Sequence, residues 1–419
     1  MKIISTTLEI PTDLLTPLGA YLRLRGEGAA AFLLESVEQG RLGRYSLVGC
    51  GSRLVDVAEA ERSGEPVVGY LGYDHVTTLE PTVPRPAEGP PFPESLFVVP
   101  ELLVRFDHAR GVAETLVGDH DRAAELLAAP QPEIPRGSGE RGELRRFPDR
   151  ATHEENVRRA IEHIRAGDAF QIVVAQRAER PTSVSPFELY RALRRINPSP
   201  YLFLLEFPEL ALVGSSPETH VKCEGRRASL NPIAGTIRAG EGDEARLLAS
   251  EKDRAEHVML VDLGRNDLSR VCVPGSVRVG AFMELERYSH VTHLVSEVVG
   301  ELGRDMGPFE LLRATFPAGT LSGAPKVRAM QIIAELERYR RGVYGGAVGY
   351  VLPPSETNRH GVMDTCIAIR TAVLHDGVAH LQAGGGVVAD SDPAEEYQEC
   401  LNKLAAVEAA IELAEAEQP

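Results

Sequence analysis

Apolar residues along the chain follow two periods, three-to-four and two, that exchange without regular alternation. Residues 1 to about 129 mix short runs of both kinds. VVGYLGYD (67–74) and SLFVVPELLVRFD (95–107) are β-branched or aromatic and predict strands, whereas TLEPTVPRPAEGPPFPE between them holds too much proline for regular structure. PQPEIPRGSGERGELRRFPDR (130–150) has the composition of a linker. It suggests an N-terminal region over 1–148 and a larger one over 149–419. Thr152 and Glu155 then offer a capping box for the helix HEENVRRAIEHIRAGD, which stops at Gly167. Strands are predicted at FQIVVAQRAE, YLFLLEF, LALVGSS, HVKCE and RASLNPI. Helical periodicity returns at 243–269, 308–315, 325–341 and 393–416, with strands at 343–352, 362–374 and 378–388 between the last two. Helices and strands that do not alternate as βα units predict an α+β fold with antiparallel sheets.

Composition narrows the function classes. With 45 basic against 61 acidic side chains the net charge is −16, which argues against a nucleic-acid or anionic-membrane surface. No apolar run reaches the length of a membrane span, and MKIISTTLEIPTD lacks the basic start and apolar stretch of a signal peptide. Cys50, Cys223, Cys272, Cys366 and Cys400 are scattered without a CxxC, as expected of reduced thiols in a cytoplasmic protein.

Two acidic pairs carry the most chemical information. Asp253/Glu256 lie in SEKDRAEHVMLVDLGRND and Glu396/Glu399 in SDPAEEYQECLNK, each pair spaced i,i+3 so that both carboxylates share a helix face. Two such faces brought together would need a cation, and few carboxylates with retained waters suit Mg²⁺ beside an anionic substrate. Taken alone, either pair also reads as a solvated helix face. Gly384, Gly385 and Gly386 at the end of a strand would let backbone N–H groups approach an anion, or simply make a turn. Arg370 lies in the apolar stretch DTCIAIRTAV and needs a carboxylate, from the protein or from a ligand. Lys403 shares the face of Glu396 and Glu399; it could neutralise them, meet a substrate carboxylate or form an ordinary i,i+4 pair. His293 sits among apolar residues, as a core histidine would, and His290 makes an HxxH without the spacing of a zinc site. Glu218 follows a Ser-Pro turn, where a carboxyl can face a cleft or the solvent. Residues 231–236 and 317–326 are Gly/Pro-rich turns with hydroxyls. There is no P-loop, Rossmann glycine fingerprint, GxSxG elbow or glutaminase nucleophile motif.

Together NPIAGT, SEKDRAEHVMLVDLGRNDLSRVC, THLVSEV, TFPAGTLSGAPKVRAM, GVYGGAVGY, DTCIAIRTA, QAGGGVVADSDP and EEYQECLNK cover residues 150–405 nearly end to end. They resemble the chorismate-utilising enzymes, and within them the anthranilate synthase component I family. The resemblance implies two antiparallel β-sheets packed as a core sandwich with surrounding helices. It implies Mg²⁺ held by Glu256 and Glu399, with Asp253 and Glu396 behind them; Asp253 is shorter than the glutamate often found there. Glu218 matches the family's general acid and His293 the histidine of pyruvate elimination, and Thr320 belongs with these catalytic groups. Substrate contacts fall on Gly235, Thr236, Tyr344, Arg370, Gly384, Gly385, Gly386 and Lys403. Ala234 stands where some aminodeoxychorismate synthases carry a nucleophilic lysine, and Gln171 where water-using relatives carry a lysine base. LLES at 33–36 would alone read as helix. Paired with NPSPY at 197–201 it resembles a tryptophan feedback site built from Leu34, Glu35, Ser36, Pro200, Tyr201 and Leu202, so the two regions interleave. The expected activity converts chorismate and ammonia to anthranilate and pyruvate. A separate glutamine amidotransferase subunit would supply the ammonia within a hetero-oligomer, and L-tryptophan would inhibit. The alternatives are an aminodeoxyisochorismate or aminodeoxychorismate synthase, or a silent tryptophan-binding regulator.

Overall fold

The computed structural model describes residues 9–36, 43–138, 141–238, 240, 243–287, 291–354 and 360–417. His290 lies outside the described residues, as do the side chains of Ala234, Thr236 and Asp253. Two antiparallel sheets face one another. The larger, of 12 strands, runs from Glu9–Pro11 through Tyr45–Gly51, Ala30–Glu35, Tyr201–Glu206 and Leu210–Ser216 to Thr371–His375, Val378–Val387 and Gln171–Pro181. The 10-stranded sheet runs from Ile233–Arg238 through Val291–Glu301, Thr219–Glu224, Val362–Ile367 and Ala347–Leu352 to Val67–Leu71, Ser95–Val99 and Arg53–Val55. Each sheet draws strands from both sides of residue 149.

Alternation along the strands explains the layering. Phe32, Phe203, Leu205 and Leu212 point into the space between the sheets, against Val68, Tyr70, Val348 and Cys366. Their neighbours Leu33, Leu202, Leu204 and Val213 point the other way, beneath helices Pro17–Leu24, Pro186–Ile196 and Pro393–Ala416. A strand buried on both faces reads as a continuous apolar run, as YLFLLEF does. The outer face of the second sheet is covered by Glu251–Ser269 and Pro308–Thr315 through Val261, Leu268, Leu311 and Leu312. Helix Pro186–Ile196 starts sharply: Pro186 supplies a pre-set φ, and Ser185 and Glu188 close a capping box.

Several expectations need correction. The run 95–107 is two strands in different sheets, Ser95–Val99 and Leu102–Asp107, broken at Pro100 and Glu101. The run 362–374 likewise crosses between sheets after Ile367, where Arg370 adopts a left-handed φ of 50° that no strand can continue. Asp149 rather than Thr152 caps the helix Arg150–Arg165, its carboxylate accepting from the Thr152 N–H at 2.9 Å, because aspartate is as good a cap as threonine. Residues 243–269 form two helices, Asp243–Ala249 and Glu251–Ser269. Helix Lys326–Glu337 ends earlier than expected, at a left-handed Arg338 with φ 54°. Leu33, Leu34 and Glu35 are strand, as pairing with Phe203 and Leu202 dictates. The three glycines lie within the strand Val378–Val387, not at a turn.

Candidate active site and an inter-sheet cavity

The chain passes from one sheet to the other at Pro217–Glu218 and again at residues 368–370, and these crossings lie side by side. The Ile367 N–H donates to the Glu218 carbonyl at 3.0 Å, and the Ser215 N–H to the Arg370 carbonyl at 3.1 Å. Their side chains share one environment. Burial pushes the Glu218 carboxyl up to about 8 against three opposing influences: a hydrogen bond from Thr320 and the charges of Lys403 and Arg370. The Thr320 hydroxyl donates to Glu218 Oε1 at 3.1 Å. Burial in turn lowers the affinity of Arg370 for its proton, opposed by Glu218. Among the described residues no carboxylate forms an ion pair with Arg370. His293, buried on Val291–Glu301, is pushed down to about 4, first by burial and then by Arg370. Thr236 pairs opposite it across a bulge at Gly235, whose φ of 75° suits glycine.

The turn bearing Thr320 is fixed from below. Lys326 Nζ donates to the Thr315 and Pro317 carbonyls at 3.0 and 2.8 Å and pairs with Asp267 Oδ2 at 2.7 Å. Both side chains are almost wholly buried, so the pair orders this loop more than it adds stability.

The glycine strand is a close-approach surface. Gly384, Gly385 and Gly386 pair with Ala175, Val174 and Val173. A Cβ at Gly384 would come to 2.9 Å from the Tyr344 hydroxyl; at Gly385 it would run into the Glu396 carboxylate, and at Gly386 into the Gln171 amide. Gln171 Nε2 donates to Glu256 Oε1 at 2.9 Å. Lys403 Nζ donates to the Gly384 carbonyl at 2.8 Å and pairs with Glu399 at 2.7 Å. The Ser391 hydroxyl donates to Glu396 Oε1 at 2.7 Å. Glu256, through Gln171, and Glu396 and Glu399, directly and through Lys403, therefore converge on the three-glycine segment from two helices distant in sequence; among the described residues no three acidic, His or Cys side chains form a ready metal cage.

Arg341 is the important residue that sequence reasoning passed over. Its guanidinium donates to the carbonyls of Leu321 at 2.6 Å and Val173 at 2.9 Å and pairs with Glu337 at 2.5 Å. It also lies over the rings of Tyr73, at 4.6 Å, and Tyr344, at 5.6 Å. Arg341 thus ties the Thr320 turn, the strand opposite the glycines and Tyr344 together. The i,i+4 spacing of Glu337 and Arg341 was visible, but many surface Glu/Arg pairs in this chain look the same.

Between the sheets lies a second cavity of about 420 Å³. Leu34, Glu35, Ser36, Pro200, Tyr201 and Leu202 all line it, with Gly349, Met363 and Asp364 from the opposite sheet. Glu35 accepts from the Tyr190 hydroxyl at 2.8 Å and from Arg194 at 2.9 and 3.0 Å. The Ser36 hydroxyl is buried without a partner among the described residues. The Tyr201 hydroxyl meets Thr219 Oγ1 at 2.9 Å and Asp364 Oδ1 at 3.0 Å.

Comparison with known proteins agrees with this geometry. The anthranilate synthase component 1 of Thermus thermophilus is 41% identical over 96% of this chain and 97% of its own length. The crystal structure of anthranilate synthase component I from Streptococcus pneumoniae superimposes with a TM-score of 0.79 at 32% identity, covering 95% of this chain and 98% of that one. The menaquinone-specific isochorismate synthase of Escherichia coli shares the fold, with a TM-score of 0.76 at 22% identity over 96% of this chain and 94% of its own. The family model for chorismate binding enzymes matches residues 12–409, and the chain belongs to that family.

Proposed function

We propose that this chain converts chorismate and ammonia to anthranilate and pyruvate. The observation that carries the reading is a carboxyl that keeps its proton to about pH 8, Glu218, beside an arginine without an ion pair among the described residues. Chorismate supplies what both lack: two carboxylates and a hydroxyl that must leave. Arg370 grips the enolpyruvyl carboxylate through its planar fork, with the glycine strand allowing close approach. Glu218, oriented by Thr320, donates its proton to the C4 hydroxyl as the C–O bond breaks and water departs. Ammonia bonds to C2 and loses a proton. His293, neutral at physiological pH, then accepts the C2 proton while the C3–O bond breaks, releasing enolpyruvate and aromatising the ring. Arg370 contributes to the weak basicity of His293, and a substrate carboxylate on Arg370 removes that contribution.

The donor set fits magnesium. Glu256 and Glu399 are held by an amide and an ammonium, donors that a cation can displace, with Glu396 close behind against Gly385. When bound there, with Asp253 in support, Mg²⁺ supplies Lewis acidity toward a substrate carboxylate. Gln171 donates an amide hydrogen to Glu256 and has no basic lone pair with which to activate water, which favours ammonia as nucleophile. The inter-sheet cavity, built from the N-terminal region and residues 197–203, takes L-tryptophan as inhibitor, and a separate amidotransferase subunit delivers ammonia.

The test is to supply the purified chain with chorismate, Mg²⁺ and ammonium and to follow anthranilate fluorescence together with pyruvate. The chain contains no tryptophan, so its own emission is low. Equimolar anthranilate and pyruvate, abolished by a chelator, are expected. Chorismate consumed without pyruvate would identify an aminodeoxy product instead, and tryptophan binding without turnover a silent regulator.

A further inference from the structure

The cavity and the cleft are joined by one side chain. Tyr201 belongs to the larger sheet, yet its hydroxyl ends on two residues of the other, Thr219 and Asp364. Each of these leads directly to a group in the cleft. Thr219 is covalently next to Glu218, and Asp364 lies on the strand Val362–Ile367, which runs straight into the crossing that carries Arg370. The phenolic proton goes to the Asp364 carboxylate, so Thr219 donates to the phenol oxygen. Asp364 is further held by Lys222 at 2.9 Å. These bonds leave Tyr201 little freedom. The cavity, at about 420 Å³, has the ordinary size of a small-molecule pocket, and Tyr201, Lys222 and Asp364 all line it.

We propose that Tyr201 and Thr219 are positioning residues for Glu218, and that a ligand in the inter-sheet cavity slows the reaction by disturbing their hydrogen bond. This deepens the regulatory reading given above and rests on it. The coupling needs no long chain of contacts. The ligand wall and the acid are separated by one hydroxyl–hydroxyl bond and one peptide unit, at the place where the two sheets exchange strands. The hydrogen bond between the Glu218 carbonyl and Ile367 carries any shift of Glu218 to the neighbouring crossing and hence to Arg370.

The experiment compares the parent chain with Thr219→Val, Thr219→Ser and Tyr201→Phe, measuring kcat and KM for chorismate with ammonium and L-tryptophan binding by calorimetry. Thr219→Val and Tyr201→Phe are expected to lose roughly five- to tenfold in kcat with KM for chorismate unchanged, because the acid is misplaced while the substrate contacts remain. Thr219→Val, at a position that does not line the cavity, should bind tryptophan at least as tightly as the parent, since no hydrogen bond has then to be broken, yet in both variants saturation with tryptophan should no longer lower kcat appreciably. Thr219→Ser keeps the hydroxyl and should restore parental kcat and inhibition. If Thr219→Val fails to fold, Tyr201→Phe decides the matter alone. Unchanged kcat and full inhibition in the variants would overturn the proposal. A parent chain that binds no tryptophan would instead overturn the regulatory reading, leaving the kcat-against-KM split to judge the positioning role.

Discussion

In the cleft Arg370 has no ion pair among the described residues and Glu218 keeps its proton to about pH 8, whereas in the inter-sheet cavity Glu35 is held by Tyr190 and Arg194 and Asp364 by Lys222 and Tyr201. Both regions are built from the same two sheets, so the difference lies in how completely the side chains satisfy one another. Leaving a buried guanidinium and carboxyl apart costs stability, and such an arrangement marks a place where a ligand supplies the missing partners. The cavity has largely satisfied its charges and offers shape and a few hydroxyls. On the function proposed above, the site that reacts and the site that senses are thus distinguishable by their unmet electrostatics. The closest internal contrast is Arg341, a buried arginine whose guanidinium makes four hydrogen bonds, to Glu337 and two carbonyls, and which therefore holds structure together.

The comparison breaks most visibly at Glu218. Glu218→Gln cannot deliver a proton and should lower kcat by roughly 10²–10⁴-fold with KM nearly unchanged, measured by anthranilate fluorescence. The same variant should be more stable than the parent at pH 7, by about 1–3 kcal/mol in urea unfolding. The sign follows from the raised folded value: the parent carries no penalty below its ordinary value of 4.5, and loses stability as pH rises from there toward about 8. Arg341→Met should cost about 3–5 kcal/mol in the same unfolding measurement, because it strands Glu337, and Glu337→Gln added to it should recover part of the loss. Arg370→Lys keeps the charge but not the fork, and should lower kcat/KM for chorismate about 10- to 100-fold, chiefly through KM. In the parent, kcat should fall above about pH 8 as Glu218 ionises, provided ammonia is held at constant NH₃ concentration. The smallest effect is expected beside the cavity: Arg194→Met should cost about 1 kcal/mol, since Arg194 is partly exposed and Tyr190 still holds Glu35. Turnover in that variant should stay within about twofold of the parent.

Much of the fold was legible because strand and helix periods are strong where an element is amphipathic, as in Pro186–Ile196 and Pro308–Thr315. The sheet crossings were not. A strand buried on both faces shows no alternation at its break, so 95–107 and 362–374 each read as one run although each joins two sheets. The same blindness hid why Glu218 and Arg370 meet, since a crossing is a property of three-dimensional register. The glycines were recognisable as a place of close approach, but what approaches them, Tyr344, Glu396 and Gln171, comes from three other elements. Arg341 was invisible for a different reason: burial, not spacing, separates it from the surface Glu/Arg pairs, and burial is decided by Tyr73 and by the strand that carries Val173, far away in sequence.

The measurement that tests this contrast most directly is infrared difference spectroscopy of the protonated carboxyl band in parent and Glu218→Gln chains across a pH titration. A carbonyl band of neutral carboxylic acid is expected in the parent at pH 7, fading near pH 8 and missing from the variant. A Glu218 already ionised at pH 6, with no band lost on substitution, would contradict it.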